Sequence, residues 1–182
     1  MIAYAFDWVS LKGLPLVKQL VGLSAACLLV YATVMVCLSP AKFELPIFTL
    51  PLGGCLLLIS LCLLVYSLFV EIPFRSTYTK QGVGNKLITT GTYALVRHPG
   101  VIWLAFVFLA LILLFPSTTL LLAAISWLIM DIIYVILQEK FFFPKMFPGY
   151  DEYQRQTPFL IPNRQSLSAC LKTIKARTKE RN

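Results

Sequence analysis

The chain has 182 residues, of which 58% are hydrophobic and only 13% are charged. Soluble domains contain about 45–50% apolar and about 25% charged residues, so this chain could not hide its apolar surface in water. The composition excludes an ordinary soluble enzyme, a disordered protein and a disulfide-framed secreted module. Sixteen basic residues outnumber eight acidic ones, and because they flank apolar runs, we expect their partner to be an anionic membrane surface rather than nucleic acid.

Four apolar runs predict four transmembrane helices, at about residues 20–38, 48–70, 99–115 and 120–137. A span needs about 20 apolar residues, and the uncharged run 101–130 is too long for one straight helix. Pro116 divides it, because proline lacks the N–H that a helix interior requires. Strands are excluded, since an open sheet cannot satisfy its backbone in lipid. The expected fold is one all-α integral membrane domain over residues 1–182.

The basic residues fall unequally on the two sides that four spans create. Fifteen of the sixteen lie on the side of the two termini and the 71–99 loop, and only Lys42 lies on the other. Cytoplasmic loops are enriched in Lys and Arg, so this split predicts a multi-pass protein with both termini in the cytoplasm. The segment 138–182 is then a cytoplasmic tail.

The end of that tail, Arg164–Asn182, has a helical pattern. Leu167, Leu171 and Ile174 share one face among basic residues, which is typical of an amphipathic helix lying on a membrane surface. A frayed basic tail is the alternative that the pattern leaves open.

The cysteines show no pattern typical of a metal site or a disulfide framework. The five cysteines are Cys27, Cys37, Cys55, Cys62 and Cys170, and none forms a C-x-x-C pair. The first four lie in or at the ends of apolar runs. We interpret them as small apolar side chains and expect no metal centre.

The first polar group of interest is Arg97-His98-Pro99, at the start of the third predicted helix. Proline is favoured in the first helical turn, and the free N–H groups there form an anion site. Two basic side chains at the positive end of a helix are unfavourable unless something negative binds to them. The alternative is that both side chains extend to lipid headgroups.

The second group is a polar stripe on the fourth predicted helix. Trp127, Asp131, Tyr134 and Gln138 are spaced 4, 3 and 4 residues apart, so they share one face. Asp131 is the only ionisable residue inside an apolar run, and an acid within a membrane is a functional candidate. A structural hydrogen bond to a neighbouring helix is the alternative. The stripe ends at Gln138-Glu139, on the same predicted side as the basic pair before the third helix.

Two segments resemble a known family. GTYALVRHPG, at Gly91–Gly100, resembles the glycine-x-tyrosine and arginine-histidine-proline signature of integral-membrane methyltransferases, which include isoprenylcysteine carboxyl methyltransferase and phospholipid N-methyltransferases. Gln138–Pro162 resembles their C-terminal block, and the residues in register are Tyr150, Tyr153, Pro158, Ile161 and Pro162. The resemblance covers about Tyr78–Pro162, nearly half of the chain.

The resemblance implies S-adenosylmethionine as the methyl donor and a lipophilic acceptor that enters from the bilayer. The positions that correspond to donor-binding residues are Leu87, Ile88, Tyr93, His98, Pro99, Gly100, Val101, Gln138 and Glu139. The carboxylate of the donor would also suit Arg97. A carboxylate acceptor needs no base, whereas an amine or phenol could give its proton to Asp131 or Glu139. With Tyr134, these two acids are the catalytic candidates.

Three positions depart from the family pattern. Gln138 replaces the first acid of an acidic pair, and Val101 replaces an aromatic residue. Tyr134 stands at a position where the resemblance to isoprenylcysteine methyltransferases implies an arginine that binds the substrate carboxylate. The absence of that arginine makes an isoprenylcysteine-like carboxylate a weaker candidate for the acceptor. Two other functions stay open: a membrane reductase of sterol-reductase type with a nicotinamide cofactor, and a non-enzymatic membrane subunit or transporter.

Overall fold

A computed structural model of the chain describes residues 15–72 and 87–181. Helices dominate this part of the chain, and it contains no strand, so the all-α prediction is confirmed for these residues. The helices are α1 (Pro15–Cys37), α2 (Thr49–Val65, continued by a π-helical turn Tyr66–Glu71), α3 (Thr92–Leu95), α4 (Pro99–Leu114), α5 (Thr118–Phe141), α6 (Phe143–Met146), α7 (Tyr150–Gln156) and α8 (Arg164–Arg181). Residues 73–86 of the basic 71–99 loop lie outside the described residues.

The four long helices coincide with the four predicted apolar runs. Two ends differ: α1 begins at Pro15 instead of near residue 20, and α5 continues to Phe141 instead of ending near residue 137. Gln, Glu and Lys are good helix formers, and no proline follows until Pro144, so the helix takes in Gln138 and Glu139. Within residues 15–72 and 87–181, two helices are long and apolar enough to cross a membrane, Thr49–Glu71 and Thr118–Phe141, whereas the apolar helical stretches Gly22–Cys37 and Pro99–Leu114 are shorter.

The long helices run up and down, and the loops at one end are joined by hydrogen bonds. The backbone N–H of Phe43 donates to the carbonyl of Pro116 at 3.2 Å, and that of Thr118 donates to Ala41 at 2.9 Å. These bonds join the α1–α2 loop to the tight turn between α4 and α5. We call this the hairpin end of the bundle (residues 38–48 and 115–117).

The opposite end holds the C-terminal ends of α2 and α5, the start of α4, and the short helices. Helices α2 and α4 run antiparallel between the two ends, because Thr49 lies beside Leu113 while Ser67 accepts a hydrogen bond from Trp103. We call this second end the site end (residues 67–71, 87–103 and 138–159).

Close packing of α2 against α4 depends on a glycine. A Cβ atom built on Gly53 would lie 3.0 Å from Leu113 Cβ and 3.2 Å from the carbonyl oxygen of Ala110. The absence of a side chain therefore lets the two backbones approach, as small residues do between membrane helices. The adjacent Gly54 has nothing within 4 Å of the same hypothetical atom, so only one of the two glycines is needed for packing.

These two glycines provide a test of the helix packing. Gly53→Ala should destabilise the protein by about 1–3 kcal/mol, because the new methyl group overpacks the α2–α4 contact. Gly54→Ala is the matched control and should be neutral or stabilising, since alanine is the better helix former by about 1 kcal/mol. Thermal unfolding of both variants in the same detergent measures the difference. Equal midpoints would contradict this account of the α2–α4 interface.

Candidate functional site

The site end is organised around one buried carboxylate, that of Glu139 near the end of α5. Its Oε1 atom lies 2.7 Å from Arg97 Nε, 2.8 Å from His98 Nε2 and 2.9 Å from the Tyr150 hydroxyl. Its Oε2 atom accepts from Arg97 Nη2 at 3.0 Å and from Gln154 Nε2 at 2.9 Å. Because an ionised carboxylate only accepts hydrogen bonds, His98 Nε2 must carry the hydrogen in this contact. Five donors thus converge on a single acid.

Arg97 also binds the last turn of α7 and the residues that follow it. Its Nη1 atom donates to the carbonyl oxygens of Gln154 at 3.0 Å and Thr157 at 2.7 Å, and its backbone N–H donates to Pro158 at 2.9 Å. The guanidinium lies 5.4 Å from the centre of the Phe159 ring. The R-H-P segment and the C-terminal block, which are separated in sequence by the α4–α5 hairpin, are therefore in direct contact.

Aromatic rings surround the imidazole of His98. Phe143 stacks on it with ring centres 6.0 Å apart, and Phe159 meets it edge-on at 5.2 Å. Tyr150 in turn contacts Phe143 at 5.3 Å. His98 is only 8% exposed, so it lies within protein and does not extend toward lipid headgroups. Rigid aromatic walls next to polar groups are typical of binding sites for small molecules.

The carboxylate of Glu139 keeps its neighbours in defined protonation states. Burial acts to lower the pKa of Arg97, but the hydrogen bond and charge of Glu139 outweigh it, so this pKa is raised and the guanidinium stays charged. Burial, followed by the charge and hydrogen bond of Glu139, raises the pKa of Tyr150 far above its usual value. The pKa of Tyr153 is also raised, mainly by burial. Both phenols therefore remain protonated at neutral pH and act as hydrogen-bond donors.

A second buried acid, Glu71, holds the segment that leads into α4. It is 4% exposed and accepts from the backbone N–H of Thr92 at 3.0 Å, and also from the Thr92 hydroxyl. It thereby caps α3 from across the fold. Gly91 precedes this contact with a φ of 65°, and a Cβ atom there would collide with the Glu71 carboxylate. Only glycine fits this turn without strain.

A short hydrogen-bond network connects this cap to the membrane helices. Ser67 and Thr92 have their hydroxyl groups 3.1 Å apart, and the indole of Trp103 donates to Ser67 Oγ at 2.9 Å. Tyr93 follows Thr92, and its hydroxyl donates to the Ser67 carbonyl at 3.4 Å, while its own carbonyl accepts from the Tyr153 hydroxyl at 2.7 Å. The network fixes Tyr93 between α2 and the C-terminal block.

The structure brings most of the predicted site residues to one end of the bundle. Arg97 and His98 both contact Glu139 directly. Tyr134 and Gln138 form a hydrogen bond with each other. Tyr93 is bonded to Ser67 and Tyr153. Pro99 and Val101 are buried in the first turn of α4, with Gly100 half-buried between them, and Leu87 and Ile88 are half-buried in the irregular segment before α3. Their predicted role in donor binding stays a prediction.

The polar stripe on α5 is half-buried along its length. Trp127 packs against Phe108 of α4 with ring centres 5.6 Å apart, and Gln138 Nε2 donates to the Tyr134 hydroxyl at 2.9 Å. Asp131 lies about two turns before Glu139 on the same helix, and Glu139 in turn binds His98. The stripe therefore leads from the membrane part of α5 toward the His98 imidazole.

Sequence reasoning missed several residues of the site end: Ser67, Glu71, Thr92 and Gln154. Glu71 ends the second apolar run, so it resembled an ordinary charge at the membrane boundary. The available signal was Gly91, a glycine directly before a short helical segment. Among residues 15–72 and 87–181, no group of His, Cys, Asp and Glu side chains is arranged to hold a metal ion.

Fold and site together define an all-helical membrane protein with a polar, aromatic-lined site at one end of the bundle. The family model for phospholipid methyltransferases matches residues 50–149, more than half of the chain. The chain belongs to this family of membrane methyltransferases, as its two sequence blocks predicted. The matched region includes the whole R-H-P segment and Glu139. No curated protein and no solved structure matches the chain significantly.

The Glu139 cluster leads to a prediction about stability. Glu139→Gln should destabilise the protein by about 3–5 kcal/mol, because it leaves the Arg97 charge buried without its partner. Glu152→Gln makes the same chemical change on the exposed side of α7 and should stay within about 0.5 kcal/mol of wild type. Unfolding of both variants in one detergent measures the two effects. If the two variants were equally stable, Glu139 would not be the centre of the site end.

Proposed function

We propose that this protein transfers a methyl group from S-adenosylmethionine to a lipophilic acceptor that resides in the membrane. The observation that carries the proposal is the contact of the R-H-P segment with the C-terminal block through Glu139, inside the region that the phospholipid methyltransferase family model matches. The family description favours a phospholipid amine as the acceptor. Tyr134, in the position of a carboxylate-binding arginine, also argues against an isoprenylcysteine-like carboxylate.

The residues at the site end have the chemistry that the donor requires. Arg97 and His98 are the candidates for its carboxylate, Gln138 for its ribose hydroxyls, and the aromatic wall with Tyr93 for its adenine. Arg97 already makes its bidentate pair with Glu139, so a donor carboxylate would rely mainly on His98 and on the positive end of the α4 helix dipole. The remaining candidates, Leu87, Ile88, Pro99, Gly100 and Val101, supply the apolar and backbone surface around that helix start.

The five hydrogen-bond donors around Glu139 suggest different roles for Glu139 and Asp131. When bound, the sulfonium of the donor supplies an electrophilic methyl group. An ammonium acceptor must first lose a proton so that its nitrogen lone pair can form the new N–C bond as the C–S bond breaks. Glu139 is already saturated with hydrogen bonds, so we assign it the positioning of Arg97 and His98. Asp131 is the base that we propose for the acceptor proton, and Tyr134 lines the acceptor path.

We further propose that all four long helices cross the membrane, with the site end in the cytoplasm. Two observations support this topology. The long helices run up and down between the two ends, and the hairpin end contains Lys42 as its single basic residue. A short apolar helix such as α4 can cross when the bilayer thins locally or when flanking side chains extend to the interface. In this topology the donor reaches the site from water and the acceptor reaches it from the bilayer.

The topology has a direct test. Reporter fusions that are active on only one side of the membrane, placed at Pro116 and at Asn182, should give opposite signals. Placing the same reporter in the α1–α2 loop at Lys42 should agree with Pro116, since hydrogen bonds join those two loops. Equal signals at Pro116 and Asn182 would contradict the four-span topology.

The proposed chemistry predicts that donor binding and methyl transfer can be separated by mutation. His98→Ala should weaken binding of labelled S-adenosylmethionine roughly 10- to 150-fold, the loss of a hydrogen bond to a charged group. Asp131→Asn is nearly isosteric, so donor affinity should stay close to wild type while methyl transfer to membrane lipids falls. Tyr134→Phe should lower transfer less, because it removes only a hydroxyl. Equilibrium binding and transfer of labelled methyl to extracted lipids measure both quantities on the purified full chain.

Several outcomes would contradict the proposal. Absence of S-adenosylmethionine binding with binding of a nicotinamide dinucleotide would favour the reductase, and binding of neither would favour a subunit or transporter. Unchanged affinity in folded His98→Ala would remove that residue from the donor site. Full activity of Asp131→Asn with a lower unfolding temperature would make Asp131 a structural residue.

A further inference from the structure

The C-terminal helix α8 is fixed to the site end along one of its faces. Asn163 and Ser166 begin it with reciprocal bonds, in which Ser166 N–H donates to Asn163 Oδ1 at 2.8 Å and Asn163 N–H donates to Ser166 Oγ at 3.0 Å. Ser166 and Cys170 are buried against the protein. Thr173, one turn further along, accepts from the backbone N–H of Gly91 at 3.0 Å. The start of α8 is therefore an ordered helix and not a frayed tail.

A neighbouring face of α8 carries three large apolar side chains that are exposed. Leu167, Leu171 and Ile174 are 52%, 54% and 44% exposed. With 3.6 residues per turn, they form one stripe directly beside the packed face of Ser166, Cys170 and Thr173. The position of the helix agrees with a membrane boundary, because Thr173 binds Gly91, which lies directly against Glu71, the last residue of α2. The stripe is thus at the level where the α2 span ends.

Basic residues border the stripe on its other side. Arg164, Lys172 and Lys175 are exposed, and Arg164 and Lys175 project next to Leu171 on the helical wheel. The sequence from Arg164 to Asn182 has six basic residues and one acid. An apolar stripe flanked by Lys and Arg is complementary to a bilayer surface with anionic headgroups, where the apolar side chains insert and the basic ones meet phosphate.

We infer that α8 is an interfacial helix that binds an anionic lipid surface through Leu167, Leu171, Ile174 and the flanking basic residues. Its adjacent, packed face simultaneously holds the Gly91 turn through Thr173. The inference does not depend on the proposed methyl transfer, since it needs only the position of α8 at the membrane boundary and the charge on its exposed side. It assigns the stripe to lipid and not to a second copy or another protein.

Amide hydrogen exchange of the full-length protein tests this inference. The protein is placed, one copy per disc, in nanodiscs of phosphatidylcholine alone or of phosphatidylcholine with phosphatidylglycerol. Exchange in the α8 peptide should slow roughly tenfold in the anionic discs, the factor expected from one or two basic residues near such a surface. Peptides from α4 should exchange equally in both discs, which gives an internal reference.

A pair of charge-matched variants identifies the face involved. Leu171→Glu should abolish the slowing, because it places an acid in the stripe. Gln165→Glu introduces the same charge at an exposed position about a third of a turn away and should retain most of it. Equal exchange of α8 in the two bilayers would overturn the inference. An equal loss in both variants would also overturn it, because net charge alone would then explain the effect.

Discussion

The ion pair of Arg97 with Glu139 is the interaction on which the rest of the site end depends. Arg97 lies just before the positive end of α4, and Glu139 lies near the negative end of α5, so each charge alone opposes the dipole of its own helix. Bringing the two together with His98 removes both conflicts. A buried ion pair adds little net stability over apolar packing, but it is very unfavourable to break. It therefore selects one arrangement of the helix ends more than it strengthens the fold.

This interaction also answers the question that the sequence raised about the start of α4. Two basic residues there indicated a missing anion, and the anion that the structure provides is part of the chain itself. The surrounding donors, Tyr150 and Gln154, come from the C-terminal block. A bound molecule would consequently enter a site whose charges are already balanced and whose side chains are already oriented. Such preorganisation reduces the entropy lost on binding and keeps reacting groups aligned.

The helices were predictable, whereas the contacts between their ends were only partly so. Lipid permits few alternatives to a helix, so apolar runs and Pro116 were enough to locate the four long elements. The pairing of Arg97 with Glu139 spans 42 positions, and no local periodicity records such a contact. The family resemblance brought both residues into one site but gave them the role of holding a donor. The role of Glu71 was not predicted, because its partner, Thr92, is an uncharged residue 21 positions away.

The hydrogen bonds between Glu71 and Thr92 bring together the two ends of the segment that connects α2 to α3. Because these two residues meet at the end of α2 and the start of α3, the number of residues between them does not determine where α4 begins. Lengthening a loop that is already closed adds little entropic penalty, about 0.6 kcal/mol for each doubling. A change in the number of residues between Glu71 and Thr92 therefore costs little, provided that this contact keeps Arg97 and His98 in place. The contact of Glu71 with Thr92 thus makes the position of the helix ends independent of the length of the intervening sequence, although not of Leu87, Ile88 and Gly91, which belong to the site end.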